Sequence, residues 1–362
     1  MEKNMDSDEI KKYTGSKDLT LVESMQKIDL NSAGLIYIVD ECNRILGTLT
    51  DGDIRRWIIK TGGLQGTAEQ IMNKNPKVVY QKEAYLVEKI LKEAQVSSVP
   101  IVNTHRQIIN IVFQNNNILK KEIPASSFFV KIPIIVMAGG KGTRLYPYTK
   151  ILPKPLIPIG DVPILERILD RFYQYGSEEF FLTVNYKKEM IKSYFSDLKP
   201  LYKIHYIEES VPLGTAGSIR LIKQTFDMPV MITNCDILIE ADFKKVIDFH
   251  MESGNDMTIV SSLKNTPIPY GVLHTKEQGI ITSMEEKPQL SYFINTGMYI
   301  VNPEFLEWIP ENRVFHMIDL AEKMIKNNKK VGMYPISENS FLDMGEFEEM
   351  KKMEKRINSG NY

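Results

Sequence analysis

The chain has 362 residues, 43% of them hydrophobic and 25% charged, so two soluble domains with ordinary buried cores are expected. Its 45 Lys and Arg nearly cancel 46 Asp and Glu, which excludes the basic field that draws nucleic acid or an anionic membrane. Cys42 and Cys235 are too few for a disulfide framework, no apolar run reaches the roughly 20 residues of a membrane span, and residues 1–12 lack the apolar core of a signal peptide, so a cytoplasmic protein is expected.

The first hundred or so residues carry a weak internal repeat. One copy reads LVESMQKI (21–28), LIYIVD (35–40), a turn at 41–44 and ILGTLTDGDIRRWII (45–59). The other reads LVEKILKEA (86–94), SVPIV (98–102), a turn at 103–107 and IINIVFQNNNI (108–118). Each predicts an amphipathic helix, a buried strand, a tight turn and a second strand. Such a unit cannot cover its own apolar face, so the two are expected to stack. The polar stretch 121–131, with Pro124, Ser126 and Ser127, is the expected linker between a domain at 1–120 and one at 132–362.

Beyond the linker, strands and helices alternate. The pattern predicts strand 132–137, a glycine-rich loop, and helix 164–175 with Pro163 at its start and Gly176 at its end. Strand 180–184, helix 189–195, strand 204–209, helix 216–226 and strand 230–233 follow, and 256–301 reads as an added mixed-sheet segment over the site. This α/β alternation implies a mostly parallel sheet with helices on both faces and ligands beyond the carboxyl ends of its strands. Residues 234–236 lie at such an end.

Directly after the first of these strands come Ala138, Gly139, Gly140, Lys141, Gly142, Thr143 and Arg144. Glycines let successive N–H groups approach phosphate oxygens, and Lys141 and Arg144 add positive charge. The spacing is not that of a Walker loop, and taken alone the run could be a plain strand-to-helix turn. Further on, PKPLIP (153–158) holds an extended, rigid path that makes Lys154 a fixed charge near the loop.

The segment GGKGTRLYPYTKILPKPLIPIG (139–160) resembles the opening motif of the sugar-phosphate nucleotidyltransferases, or NDP-sugar pyrophosphorylases. The resemblance continues over 132–350 through PLGTAG (212–217), NCD (234–236), YGV (270–272), EEKP (285–288), NTGMY (295–299) and FLDMG (341–345). It implies a Rossmann-like, mostly parallel α/β nucleotidyltransferase domain of the GT-A-like kind. It also implies site roles. Asp236 and Asp343 would hold Mg²⁺, an ion that favours carboxylate oxygens and phosphates. Arg144 would meet the leaving pyrophosphate and Lys154 would bridge the reacting phosphates. The loop from Ala138 to Thr143, with Gly214 and Thr215, would hold the nucleotide. Gly271, Glu286, Lys287, Asn295 and Thr296 would hold the sugar phosphate. No general base is needed, because the attacking phosphate is already ionised.

The N-terminal repeats resemble a pair of CBS modules. Gly47, Thr50 and Asp53 match the pattern that in that family holds an adenine nucleotide, whereas the second repeat has Asn110, Phe113 and Asn116 at the corresponding places. A CBS pair before a transferase, with PLGTAG and NCDILI (234–239), is similar to the guanylyltransferases of nonulosonic (legionaminic) acid pathways. That likeness implies GTP and glucosamine 1-phosphate or a relative, with mannose 1-phosphate, or a uridylyl- or thymidylyltransferase of the same fold, as alternatives. A catalytically silent nucleotide sensor is the reading from another class. It predicts loss of a phosphate-binding base or a metal carboxylate, yet Arg144, Lys154, Asp236 and Asp343 are all present. A homo-oligomer, dimer or tetramer, is expected.

Overall fold

The computed structural model describes residues 5–31, 33–94, 96–114, 132–345 and 347–358. They fall into two compact units. One takes the described residues of Met1–Lys121 together with Asn265–Ser291, and the other takes the remainder. The expected linker, 121–131, and Asn116 lie outside the described residues.

In the first unit, β1 (Thr14–Ser16), β2 (Leu35–Val39) and β3 (Ile45–Thr50) form one sheet, and β4 (Val79–Tyr80), β5 (Ser98–Val102) and β6 (Ile108–Phe113) another. The repeat is visible at atomic detail. Asp40 Oδ1 accepts the N–H groups of Cys42 and Arg44, and Asn103 Oδ1 accepts those of His105 and Gln107. Each turn carries one left-handed residue, Asn43 (φ 60°) and Arg106 (φ 62°), which the Asx side chain supports. The ladders even slip at equivalent points, Ile38/Val39 and Ile101/Val102. The copies share an apolar cluster that includes Leu35, Tyr37, Ile45, Val102, Ile108 and Ile111. Inside it the Tyr37 hydroxyl meets Ser98 Oγ at 2.6 Å, satisfying a phenol that would otherwise be buried unpaired.

The second unit is built on β7 (Ile134–Met137), followed by the short pair β8 (Pro158–Ile159) and β9 (Val162–Pro163). Then come β10 (Glu179–Val184), β11 (Lys203–Glu208), β12 (Val230–Asn234) and β13 (Ile237–Ile239). After β14 (Met257–Pro267) the chain passes into the first unit, where β15 (Val272–Thr275) and β16 (Ile281–Glu285) form a hairpin, and β17 (Gln289–Val301), β18 (Val331–Ile336) and β19 (Phe341–Asp343) close the chain order of the second. The main sheet runs β11-β10-β7-β12-β17-β14-β18. β11, β10, β7 and β12 are mutually parallel, and β17 runs antiparallel to β12.

Strand alternation divides β7 between two cores. Ile134 and Val136 join a cluster with Phe180, Leu182, Met231 and the helix Ile164–Gln174. Ile135 and Met137 join Phe181, Ile232, Tyr299 and the helix Met317–Lys326 on the other face. Ile134, Ile135 and Val136 are fully buried, each contributing roughly 1.5–3 kcal/mol of transfer free energy. This two-sided burial is why the strand reads as a continuous apolar run.

Candidate active site

The loop after β7 is shaped by glycines at definite points. Ala138 N–H still bonds Thr183 O at 2.9 Å, and the chain then leaves the sheet. Gly142 sits at φ 64°, and a Cβ there would come within 3.0 Å of Lys154 Cβ and 2.9 Å of Thr149 Cγ2. Gly140 faces open space, with Lys141, Thr143 and Arg144 exposed around it. The base of the loop is tied down: Thr149 Oγ1 donates to Gly142 O (2.9 Å), Tyr186 OH to Thr149 O (3.0 Å), and Lys187 Nζ to the carbonyls of Lys150 and Ile151. An exposed, cationic glycine loop on a braced frame suits an anion.

Lys154 is 8% exposed and flanked by the prolines Pro153 and Pro155, both also buried. Its ammonium bonds Asp236 Oδ2. Asp236 leaves the carboxyl end of β12, and pairing of β13 with β19 sets Ile237 opposite Asp343. Met344 N–H then bonds Asp236 O at 2.8 Å, which draws two carboxylates far apart in sequence to one point. Burial pushes the Asp343 carboxyl up from its ordinary range, and the Asp236 charge pushes the same way, while Lys154, the Gly345 N–H and Arg144 pull it down. A Cβ on Gly345 would lie 3.1 Å from both Asp343 oxygens and 3.4 Å from Arg144 Nη1. Arg144, Lys154, Asp236 and Asp343 therefore converge, two cations against two carboxylates.

The carboxylate pair fits a hard divalent ion. Both donors are oxygens, and their mutual repulsion is the electrostatic condition that a bound cation relieves. Among the described residues no cluster of three or more His, Cys, Asp or Glu could hold a metal, so such an ion would take its other ligands from phosphates or water. Cys235 is buried with its thiol pushed up to about 12, first by desolvation, so it is inert as a nucleophile.

The expected helix 216–226 is not formed. The chain makes only the short helix Gly214–Gly217 and the 3₁₀ turn Ser218–Leu221. A distant segment decides this, because Phe315 O accepts the N–H groups of both Ala216 and Gly217, and Phe315 N–H donates to Leu213 O. Gly214 lies at φ 81°, and a Cβ there would strike Phe315 O at 2.6 Å. The other elements of this alternation form close to their expected bounds.

Two residues that the sequence reading passed over meet this turn. Glu209 is 6% exposed and accepts Leu213 N–H through Oε2 at 3.1 Å, while a Cβ on Gly139 would sit 2.4 Å from its Oε1. It packs between the glycine loop and the turn, and burial raises its carboxyl pKa. His316 Nδ1 accepts Thr215 N–H at 3.3 Å. An acid following a strand gives no local sign of such a role; only the fold does.

Of the residues expected to hold the sugar phosphate, Thr296 is buried and its hydroxyl donates to Val260 O at 2.7 Å, so that side chain is committed to the scaffold. Asn295 is exposed, donates to Tyr299 OH (2.7 Å) and accepts Gly297 N–H (2.9 Å). Gly297, at φ 88°, leaves room for the Asn234 amide at the end of β12. Gly271, Glu286 and Lys287 belong instead to the first unit, on and beside the β15–β16 hairpin, where they are exposed. In that unit Thr50 and Asp53 engage each other as a helix capping box: Asp53 Oδ2 accepts Thr50 N–H (3.0 Å) and Oγ1–H (2.6 Å), and Asp53 N–H donates to Thr50 Oγ1 (3.2 Å).

The chain is 31% identical over 221 residues to a mannose-1-phosphate guanyltransferase of Debaryomyces hansenii, covering 59% of this chain and 60% of that protein. It is 36% identical over 182 residues to the mannose-1-phosphate guanylyltransferase catalytic subunit beta of Drosophila melanogaster, covering 48% and 49%. A UTP–glucose-1-phosphate uridylyltransferase of Synechocystis matches at 33% over 211 residues, covering 53% and 54%. The chain thus spans about half to three-fifths of the length of these relatives. Among solved structures, HddC from Yersinia pseudotuberculosis aligns with 62% of this chain and 99% of its own at 26% identity and a TM-score of 0.49. A Bacillus anthracis protein solved with a sucrose aligns with 62% and 94% at 19% identity and a TM-score of 0.50, which speaks to fold alone. The Nucleotidyl transferase profile matches residues 133–360, well over half of the sequence, and with it the chain belongs to the nucleotidyl transferase family.

Proposed function

We propose that this protein transfers a nucleoside monophosphate from an NTP to a sugar 1-phosphate, with release of pyrophosphate. The observation that carries the reading is the convergence of Arg144, Lys154, Asp236 and Asp343 beside the glycine loop. An oxygen of the sugar phosphate attacks the α-phosphorus, a new P–O bond forms, and the bond to the β-phosphate oxygen breaks. Several negative charges meet at that point, so catalysis is chiefly positioning and neutralisation. Lys154, held by Asp236, stands between the reacting phosphates, and Arg144 takes the charge of the leaving pyrophosphate. Mg²⁺, held by Asp236 and Asp343, supplies further positive charge when bound.

GTP is the proposed donor, and glucosamine 1-phosphate or a relative on a nonulosonic acid route the proposed acceptor. The resemblance of PLGTAG and NCD to guanylyltransferases supports the base, as do the names of several relatives. Mannose 1-phosphate is a second reading, favoured by those same relatives. For the first unit the proposal is a CBS pair binding one adenine nucleotide through Thr50 and Asp53, supported by the paired repeats.

The test is a panel of GTP, UTP, dTTP, CTP and ATP against glucosamine 1-phosphate, its N-acetyl form and mannose 1-phosphate, read by mass spectrometry and kcat/KM. A site built to bond one base rejects others strongly, because wrong bases leave buried polar groups unpaired. Preference for UTP or dTTP refutes the base assignment, and no NDP-sugar from any pair refutes the activity.

A further inference from the structure

We infer that His316 is a positioning residue that sets nucleotide affinity by holding the Leu213–Gly217 turn in its bound shape. The inference rests on the nucleotidyltransferase reading, in which this turn holds the nucleotide, and it concerns a residue outside every motif of that reading. Left to local forces, a PLGTAG run has little to define it: two glycines confer backbone freedom, and Gly214 occupies a left-handed conformation at φ 81°. The turn is stitched to the residues that open the helix Met317–Lys326. Phe315 N–H donates to Leu213 O at 2.9 Å, and Phe315 O accepts from Ala216 at 2.9 Å and Gly217 at 3.1 Å. Thr215 Oγ1 accepts Met317 N–H at 3.0 Å.

Those contacts use main-chain atoms of the helix start or the threonine hydroxyl. Two N–H groups of the turn are held by side chains instead: Leu213 N–H donates to Glu209 Oε2 at 3.1 Å where the turn begins, and Thr215 N–H at its centre donates to His316 Nδ1 at 3.3 Å, with Thr215 Oγ1 3.5 Å from the same nitrogen. The imidazole also walls the turn, because a Cβ on Gly214 would meet His316 Cε1 at 3.0 Å and Nδ1 at 3.1 Å. His316 is itself anchored, its N–H donating to Asp319 Oδ2 at 2.7 Å. The helix beyond buries Met317, Leu320 and Met324 in the core, so the stitch transmits a rigid reference to the turn. Without the imidazole acceptor, Thr215 N–H turns to water and the turn samples other shapes, of which a fraction binds nucleotide.

The experiment compares His316→Leu with His316→Asn in the full-length chain. Both are close to the imidazole in size, but only the asparagine keeps an acceptor near Nδ1. His316→Leu is expected to raise the KM for the NTP about five- to tenfold, the scale of one neutral hydrogen bond, with kcat and the KM for sugar phosphate within about twofold. His316→Asn is expected to return the NTP KM to within about twofold of wild type. Calorimetric titration of the NTP without sugar phosphate should show the same ratio in Kd, which covers the case of a variant too weakened to turn over steadily. An unchanged NTP KM in His316→Leu, a fall in kcat at constant KM, or equal defects in both variants overturns the inference. If wild type itself neither turns over nor binds any NTP, the nucleotidyltransferase reading fails first, and the two failures are distinct.

Discussion

Asp236 and Asp343 occupy one site but sit in opposite electrostatic circumstances, and substitution should separate them. Asp343 is held above the ordinary carboxylate range by burial and by the Asp236 charge, so the metal-free fold gains nothing from its ionisation. Asp343→Asn removes that repulsion and should leave the unfolding temperature unchanged or raise it by a few degrees. Asp236 instead neutralises Lys154, which is 8% exposed. Asp236→Asn replaces the carboxylate that bonds that ammonium by an amide oxygen and leaves it only the weaker attraction of Asp343, for about 3 kcal/mol, the low end for breaking a buried pair from one side. In a unit of this size that corresponds to roughly 6–12 °C in Tm. Turnover should fall in both, because each removes one charge and one oxygen ligand from the proposed ion: on the order of 10²–10³ in kcat, as for loss of one strong transition-state contact. The assays are calorimetric melts in EDTA and initial rates at saturating Mg²⁺. Near-normal kcat in both variants refutes the metal assignment. A Tm loss in Asp343→Asn equal to that in Asp236→Asn refutes the electrostatic reasoning.

Further outcomes follow from other parts of the chain. Calorimetry on the full-length protein should show one adenine nucleotide (AMP, ADP or ATP) per chain bound in the first unit, and Asp53→Ala should abolish it; equal binding by the variant refutes the Thr50–Asp53 site. Because Asp53 also closes the capping box, that variant should lose about 1 kcal/mol of helix stability whether or not a nucleotide binds. His250 is buried against Thr258 Oγ1 (2.8 Å) and Asn302 Oδ1 (3.0 Å), and burial lowers its pKa below 6.5. The unfolded chain therefore takes up the proton first, so this contribution is complete above about pH 6.5 and is lost as pH falls towards the folded value. Urea unfolding at pH 8 and pH 5.5 should show a steeper loss for wild type than for His250→Gln, and equal slopes refute it.

Much of the candidate site's local geometry could be read from the chain because it depends on short-range signals. The run from Ala138 to Arg144 announces an open, glycine-rich cationic loop after a buried strand, and β7 forms where a two-sided apolar run requires it. PKP confines Lys154 through proline dihedrals, which need no distant partner. The end of β12 at Asn234 could likewise be placed, since a β-branched run before a polar break is a short-range signal. The repeat in the first unit was legible for the same reason, with its Asx turns at Asp40 and Asn103 encoded within five residues each.

What lay beyond the sequence is every feature settled by competition between distant segments. Propensity extends a helix from Ala216 towards Phe226, yet Phe315 O takes the N–H groups of Ala216 and Gly217 and a tertiary contact outweighs it. Thr296, assigned to the sugar site through the resemblance of NTGMY, spends its hydroxyl on Val260 O, because a buried hydroxyl must find an acceptor. Glu209 and His316 carry no motif at all; they matter because the fold sets one against Gly139 and the other against Thr215. The charge balance at Lys154, Asp236 and Asp343 belongs here too. Sequence supplies three ionisable groups, but which cation neutralises which carboxylate depends on distance and burial, and both are fixed only when β13 pairs with β19.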